Sequence, residues 1–150
     1  MEKPDICNVE KMKYEPLNNK DMKKLLGLIT ALYFGLASLN AMSYEEARDR
    51  ARFLTDKMAY ELNLNDQQYN DAYEINLDYL MNIRTASDAS SVYLEYRNAD
   101  LRFILYDWQY ALFQAATYFF HPVIWRTSGW FLPVYTIYSP SRFYYSPPRV

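Results

Sequence analysis

The residues best suited to chemistry in this sequence are acidic side chains spaced along one stretch. Asp71, Glu74 and Asp78 lie three and four residues apart, which places them on one face of a helix. Carboxylates at this spacing can build a di-metal site inside a helix bundle, but that design also needs a Glu-x-x-His pattern, which the sequence lacks. We therefore interpret the three carboxylates as a solvated acidic face.

The single histidine, His121, is placed as a helix-end residue rather than as a catalyst. It precedes a proline, and proline disfavours helix in the residue before it. It is also the only imidazole that a serine, threonine or cysteine nucleophile would have as its base. The three glycines form no phosphate-binding loop. The sequence thus predicts no enzyme, no metal and no cofactor.

Composition limits the classes of protein further. The 150 residues give room for one domain, and 51% of them are apolar, enough for a packed core. A net charge of −2 gives no general attraction to nucleic acid. The 16 tyrosines are unusual. A tyrosine-rich core with hydroxyls at its edge is the favoured interpretation, and an adaptable protein-binding face is the alternative.

The segment from 22 to 43 has the layout of a secretion signal. Lys23 and Lys24 precede an uncharged apolar run over 25–37, and small residues close it. We expect cleavage after Ala41 or Ser43 and a periplasmic mature protein, although a retained membrane anchor stays open. We expect translation to start at Met22, which would make residues 1–21 a mis-assigned, disordered upstream extension; an unusual cytoplasmic extension is the alternative. The only cysteine lies in that extension, so no disulfide is expected in the mature chain.

Apolar spacing predicts an all-α domain over 44–121. Ser43 and Glu46 form a capping-box pattern before a helix over 44–62, and Asn65 and Gln68 form another before a helix over 66–85. A third helix is expected to begin at Ser87 or Asp88, and a fourth at Asp107, ending at His121. The stripes expected to face the core are Ala47, Ala51, Leu54, Met58 and Leu62; Tyr69, Ala72, Tyr73, Asn76, Leu77 and Leu80; Val92, Tyr96, Ala99 and Phe103; and Trp108, Ala111, Leu112, Ala115, Ala116 and Phe119.

The composition changes over 122–150, which form an aromatic, proline-rich tail. The tail carries three arginines and no acidic residue, whereas the helical body before it is acidic. We expect the tail to fold back on the body, in part electrostatically. Contact with a membrane interface through Trp125 and Trp130 is the alternative. Residues 130–138 have some strand character, but Pro133 would confine it to an edge.

A short motif occurs twice, each time where one predicted helix gives way to the next. Leu64 to Gln68 and Leu105 to Gln109 share the pattern Leu-x-Asp-x-Gln, 41 residues apart. The pattern resembles the Spy/CpxP family of small exported helical proteins, which carry two Leu-Thr-x-x-Gln motifs. Asn65 and Tyr106 stand where the family has threonine. Asparagine keeps a capping side chain, whereas the tyrosine hydroxyl is too far from its own backbone to cap, which makes the second motif weaker.

The resemblance implies a bent four-helix hairpin that pairs into a cradle-like dimer. Members act as ATP-independent chaperones or as modulators of an envelope-stress sensor, so the expected partners are unfolded protein clients or such a sensor. The candidate protein-binding residues are Arg48, Arg52, Tyr73, Tyr96, Arg97, Trp125 and Trp130. The rival hypothesis is a structural envelope protein whose aromatic tail docks on a membrane or an outer-membrane complex.

Overall fold

The computed structural model describes residues 18–24, 41–127 and 129–149 of the chain. These residues are mostly helical, with one small two-stranded sheet, which confirms the helical class expected from the sequence. The apolar run of the expected signal and most of the upstream extension lie outside the described residues. Residues 19–24, in the first of the chain's two units, are helical. Among the described helices, none is long and apolar enough to cross a membrane.

The first two helices of the second unit begin at the capping residues expected from the sequence. Helix α1 spans Tyr44–Leu62, and the Ser43 hydroxyl accepts from the Glu46 backbone N–H at 3.2 Å. Helix α2 spans Asp66–Asn82, three residues shorter than predicted, because Ile83 is already extended. Between them Asn63 adopts a left-handed conformation with φ of 49°, which asparagine tolerates better than most residues. This turn directs α2 back along α1.

The next helices differ from the prediction at their ends. A 3-10 turn at Asp88–Ser90 precedes α3, so α3 spans Val92–Ile104 and is capped by Ser91 rather than by Ser87 or Asp88. Helix α4 begins at Asp107, as predicted, but ends at Ala115. A short helix α5, Thr117–Phe120, continues to the proline. Helix α1 packs against both α2 and α4, and α2 packs against α3.

The apolar stripes of α1 and α2 face the core as predicted. All five stripe residues of α1 are buried, and so are those of α2 apart from the half-buried Leu77. At about 25 cal/mol per Å² of apolar surface, this burial is the main stabilising contribution to the fold.

The apolar stripe predicted for α3 is wrong, and the stripe predicted for the fourth helix is wrong except at its end, where Ala116 is half-buried and Phe119 is buried. Val92, Tyr96, Ala99 and Phe103 are all exposed, and Phe103 is 91% exposed. Trp108, Ala111, Leu112 and Ala115 of α4 are exposed as well. The side chains that α3 and α4 bury are instead Leu94, Arg97, Asn98, Leu101, Gln109 and Phe113. Polar groups thus take core positions, and hydrogen bonds described below make their burial tolerable.

The segment after Pro122 is part of the same domain rather than an appended tail. Strands β1, Ile124–Arg126, and β2, Gly129–Phe131, pair antiparallel, and a 3-10 turn follows at Pro133–Thr136. The strand character expected over 130–138 therefore ends at Phe131, before the proline. Val123, Leu132 and Val134 are buried in the same core as the helices.

Candidate functional site

The two glutamines of the repeated motif meet in the core. Gln68 and Gln109 are both buried, and each side-chain amide donates to the other's oxygen, at 2.8 and 3.1 Å. The spare N–H of each amide reaches a carbonyl just before the other motif: Gln68 donates to Ile104 O at 2.9 Å, and Gln109 donates to Leu62 O at 3.0 Å. The pair therefore joins the starts of α2 and α4 with near two-fold symmetry.

Each glutamine also completes the start of its own helix. Gln68 Oε1 accepts from Asn65 N at 3.1 Å, while Asn65 Oδ1 accepts from Gln68 N at 2.9 Å, which is a full capping box. At the second start Gln109 Oε1 accepts from Tyr106 N at 2.9 Å, but the Tyr106 side chain makes no cap hydrogen bond. Leu64 and Leu105 are buried beside the pair. The two buried glutamines of the motif thus position the helix starts, and their amide groups are engaged with each other and with the backbone.

Arg97, a candidate for protein binding, lies in the core with only 2% of its surface exposed. Its guanidinium donates to Asn76 Oδ1 at 2.8 Å, to Asn98 Oδ1 at 2.9 Å and to Phe119 O at 2.9 Å. Burial lowers its pKa to about 9, since no carboxylate within the described residues pairs with it. Arg97 therefore links α2, α3 and the last turn of α5, and its side chain is not available to a partner.

Three other candidates cluster around α1. Arg48 is half-buried and pairs with Glu45 at 2.5 Å. Arg52 lies over the ring of Phe143 at 4.4 Å, and its buried Nε has no hydrogen-bond partner among the described residues. Tyr73 is buried; burial raises its pKa, while both arginines lower it. Arg48 and Arg52 thus remain partly accessible on this side, whereas Tyr73 belongs to the core.

The remaining candidates separate in the same way. Tyr96 is 63% exposed on α3. Trp125 is half-buried and packs edge-on against the buried Trp130, with ring centroids 4.8 Å apart. The Trp130 carbonyl accepts from Arg50 Nη1 at 2.7 Å, which fixes the hairpin to α1. The two tryptophans are therefore occupied inside the domain, and the structure does not gather the candidate residues on one face.

An exposed apolar stripe on α3, which the sequence had assigned to the core, is the surface feature that the sequence analysis missed. We call Val92, Tyr96, Ala99 and Phe103 the outer stripe. A groove of about 300 Å³ lies beside Phe103 and is also lined by Gln67, Asp71 and Tyr106. Contiguous exposed apolar surface on a folded domain usually marks an interaction site. The amphipathic spacing correctly predicted a helix, but spacing alone does not determine which side of the helix faces the core.

The three carboxylates spaced along α2 lie at the surface. Glu74 and Asp78 are exposed and Asp71 is half-buried, as a solvated face requires. Within residues 18–24, 41–127 and 129–149, no group of three or more histidine, cysteine, aspartate or glutamate side chains is placed to hold a metal ion.

A second polar centre, unrecognised in the sequence, lies on α1 under the C-terminal residues. Asp56 and Lys57 are adjacent, fully buried and paired at 2.6 Å. The Asp56 carboxylate accepts from the backbone N–H groups of Tyr144 and Tyr145, at 2.9 and 2.8 Å. Lys57 Nζ donates to Arg142 O. Burying two charges side by side on one helix is costly unless hydrogen bonds satisfy them, and here the C-terminal residues that cover the pair supply those bonds.

The C-terminal segment does fold back on the helical body, but not through its arginines. Tyr138 donates its hydroxyl to Glu61 at 2.6 Å, and Tyr118 donates to the other oxygen of that carboxylate at 2.7 Å. Among the described residues, no ion pair involves an arginine beyond position 102. The acidic groups of the body thus bind backbone N–H and tyrosine O–H donors of the segment.

Comparison with known proteins adds one match. Residues 39–101 match the model of a family described as "Domain of unknown function (DUF4890)". The match spans α1, α2 and most of α3, including the first Leu-x-Asp-x-Gln motif and three of the four outer-stripe residues, and it ends before Phe103 and the second motif. No curated protein and no solved structure matches the chain.

Proposed function

We propose that the chain is an exported protein-binding domain that acts without a cofactor, either as an ATP-independent chaperone or as an adaptor that modulates an envelope sensor. The observation that carries this proposal is the outer stripe of α3. Its aromatic side chains face solvent while Arg97 and Asn98 of the same helix are buried. The helix exposes apolar side chains while it buries polar ones, and such an exposed apolar surface is suited to binding another protein.

The finer architecture proposed for this function is a bent four-helix hairpin like that of the Spy/CpxP family, pairing into a dimer. Two features support it: α1 to α4 match the four expected helices, and the two motif glutamines bind each other at the helix starts. In this arrangement the periplasm, reached through a cleaved signal, is the compartment of action.

The proposal is tested with the mature fragment, residues 44–150, in an aggregation assay on a chemically unfolded client. Delayed light scattering at near-stoichiometric ratio, without ATP, supports a chaperone. Capture of an envelope sensor domain, without any delay, supports the adaptor. If the fragment is folded by circular dichroism yet neither delays aggregation nor binds any envelope protein, the proposal is contradicted.

The rival proposal is docking on a membrane or an outer-membrane complex through the aromatic C-terminal segment. It is less favoured, because Trp125, Trp130 and Tyr138 are engaged inside the domain. Co-sedimentation with lipid vesicles separates the two. Binding that disappears when residues 122–150 are deleted, with the helices intact, supports the rival.

A further inference from the structure

Residues 139–149, which we call the strap, lie across α1 and the start of α2 without forming a helix or a strand. Side chains of the helical body bind the strap mainly through the strap's backbone groups. Asp56 accepts from two strap N–H groups, Lys57 donates to one strap carbonyl, Tyr69 Oη donates to Ser146 O at 3.0 Å, and Asn70 Oδ1 accepts from Arg149 N at 2.8 Å. Every peptide carries these backbone groups, so such contacts select an extended conformation rather than one sequence.

Three consecutive aromatic side chains of the strap contact the body. Tyr145 packs beside Tyr69, with ring centroids 5.7 Å apart, while the adjacent pair Phe143 and Tyr144 also faces cations. The ring of Tyr144 stacks on Tyr60 at 4.1 Å and 11°. Lys57 Nζ lies 5.2 Å from the ring centroid of Phe143 and 4.6 Å from that of Tyr144, and the Arg52 guanidinium lies 4.4 Å from the centroid of Phe143. Cations over aromatic faces stabilise such contacts, more so where water is excluded. The groove therefore favours an aromatic pair at this point.

The strap is mostly exposed to solvent, although the side chains of α1 that bind its backbone are buried. Most of its residues are exposed, including Phe143 and Tyr145, while Asp56 and Lys57 have no exposed side-chain surface. If the strap leaves, the Asp56–Lys57 pair becomes hydrated instead of remaining as unpaired buried charge. Because most of the strap residues are exposed, the strap opens at a lower free energy than the core.

We propose that the groove formed by Asp56, Lys57, Tyr60, Tyr69 and Asn70 is a binding site for an extended segment of a client protein that carries two adjacent aromatic residues. The strap is the intramolecular occupant of this site. A client segment competes with the strap, so binding is weak until the strap is displaced. The inference rests on the proposed function and specifies the class of client that the domain takes.

The test uses the full chain with the strap loosened by Phe143→Ala and Tyr144→Ala, which leave the groove unchanged. The probe is a fluorescent synthetic peptide of residues 139–149, followed by fluorescence anisotropy. We expect the double variant to bind the peptide at least tenfold more tightly than the unaltered chain, in which the strap competes at high effective concentration. The same peptide with Phe143 and Tyr144 changed to alanine is the control and should bind the loosened chain at least tenfold more weakly.

A second variant tests the buried anchor. Asp56→Asn in the loosened chain replaces the carboxylate that accepts two N–H groups by a neutral amide of nearly the same size. We expect at least a tenfold loss of peptide affinity, with circular dichroism and unfolding temperature measured to confirm that the chain is folded. Asp100→Asn, the same change at an exposed carboxylate on α3, serves as the matched variant and should leave peptide affinity unchanged.

Two results overturn the inference. One is a folded, loosened chain that binds the peptide no better than the unaltered chain. The other is a concentration-dependent dimer of the unaltered chain that the peptide dissociates, which would make the strap of a second copy the true occupant. If peptide binding fails while aggregation is still delayed, the groove assignment falls and the proposed function stands. If both fail, the function falls as well.

Discussion

Helices α1 and α2 bury the apolar side that their sequence displays, whereas α3 and α4 turn much of theirs to solvent. In the first pair the apolar stripes pack in the core, and the strap and the hairpin cover the other side. In the second pair, the core positions are taken by Arg97, Asn98 and Gln109, whose hydrogen bonds run to carbonyls and amides of other elements. The difference shows that in α3 and α4 polar contacts fix the orientation together with the burial of Leu94, Leu101 and Phe113.

Replacing Arg97 should have the largest effect on this contrast. Arg97→Ala leaves the amides of Asn76 and Asn98 and the Phe119 carbonyl without their donor, and it opens a cavity among three helices. We expect a loss of about 3–5 kcal/mol in the free energy of unfolding, measured with urea. The exposed Arg84→Ala is the control and should change it by less than about 0.5 kcal/mol. Equal urea midpoints for the two variants would show that the Arg97 guanidinium does not fix the orientation of α3.

The glutamine pair is the next most important contact. Gln109→Ala removes the partner of Gln68 and leaves the Tyr106 N–H and the Leu62 carbonyl unpaired, so we expect a loss of about 2–3 kcal/mol. In a double-mutant cycle with Gln68→Ala, the two losses should be less than additive by about 1–2 kcal/mol, because both remove one shared network. Strictly additive losses would mean that the two helix starts are independent.

Alkaline titration examines the α2 side of the contrast. Tyr79 is buried, donates to Ala89 O at 2.8 Å, and has its pKa raised from 10.0 to about 12 by burial. The unfolded chain therefore loses this proton first, so the stability that Tyr79 contributes is complete below pH 10 and is lost as the pH rises through 12. Unfolding midpoints between pH 9 and 12 should fall less steeply in Tyr79→Phe. Tyr96→Phe, at an exposed site, should keep the slope of the unaltered chain.

Changes in the outer stripe should have the smallest effect on stability. Tyr96→Ser and Phe103→Ser together should shift the free energy of unfolding by less than about 0.5 kcal/mol, because both side chains already face water. Thermal unfolding measures this. A loss of several kcal/mol would place the stripe in the core and restore the interpretation made from the sequence.

The sequence was sufficient wherever local chemistry decides the structure. Capping by Ser43 and Asn65, the break at Leu105 and the stripes of α1 and α2 follow from residue types and spacing alone. The orientation of α3 did not, because Val92, Tyr96, Ala99 and Phe103 satisfy a core-facing pattern equally well. Only tertiary partners, namely Asn76 on α2 and the Phe119 carbonyl, make the side that carries Arg97 the buried one. The groove under the strap was hidden for a similar reason, since Asp56 and Lys57 bind backbone groups almost ninety residues away.

The central claim, that the outer stripe of α3 binds other proteins, is tested most directly by measuring client affinity with and without it. Fluorescence anisotropy of a labelled, permanently unfolded client should report binding to residues 44–150 and at least a tenfold weaker affinity for the Tyr96→Ser, Phe103→Ser variant. Tyr44→Ser, at an exposed tyrosine on α1 outside the groove under the strap, provides the control. Undiminished affinity in the folded α3 variant, or an equal loss in the α1 control, would contradict the account.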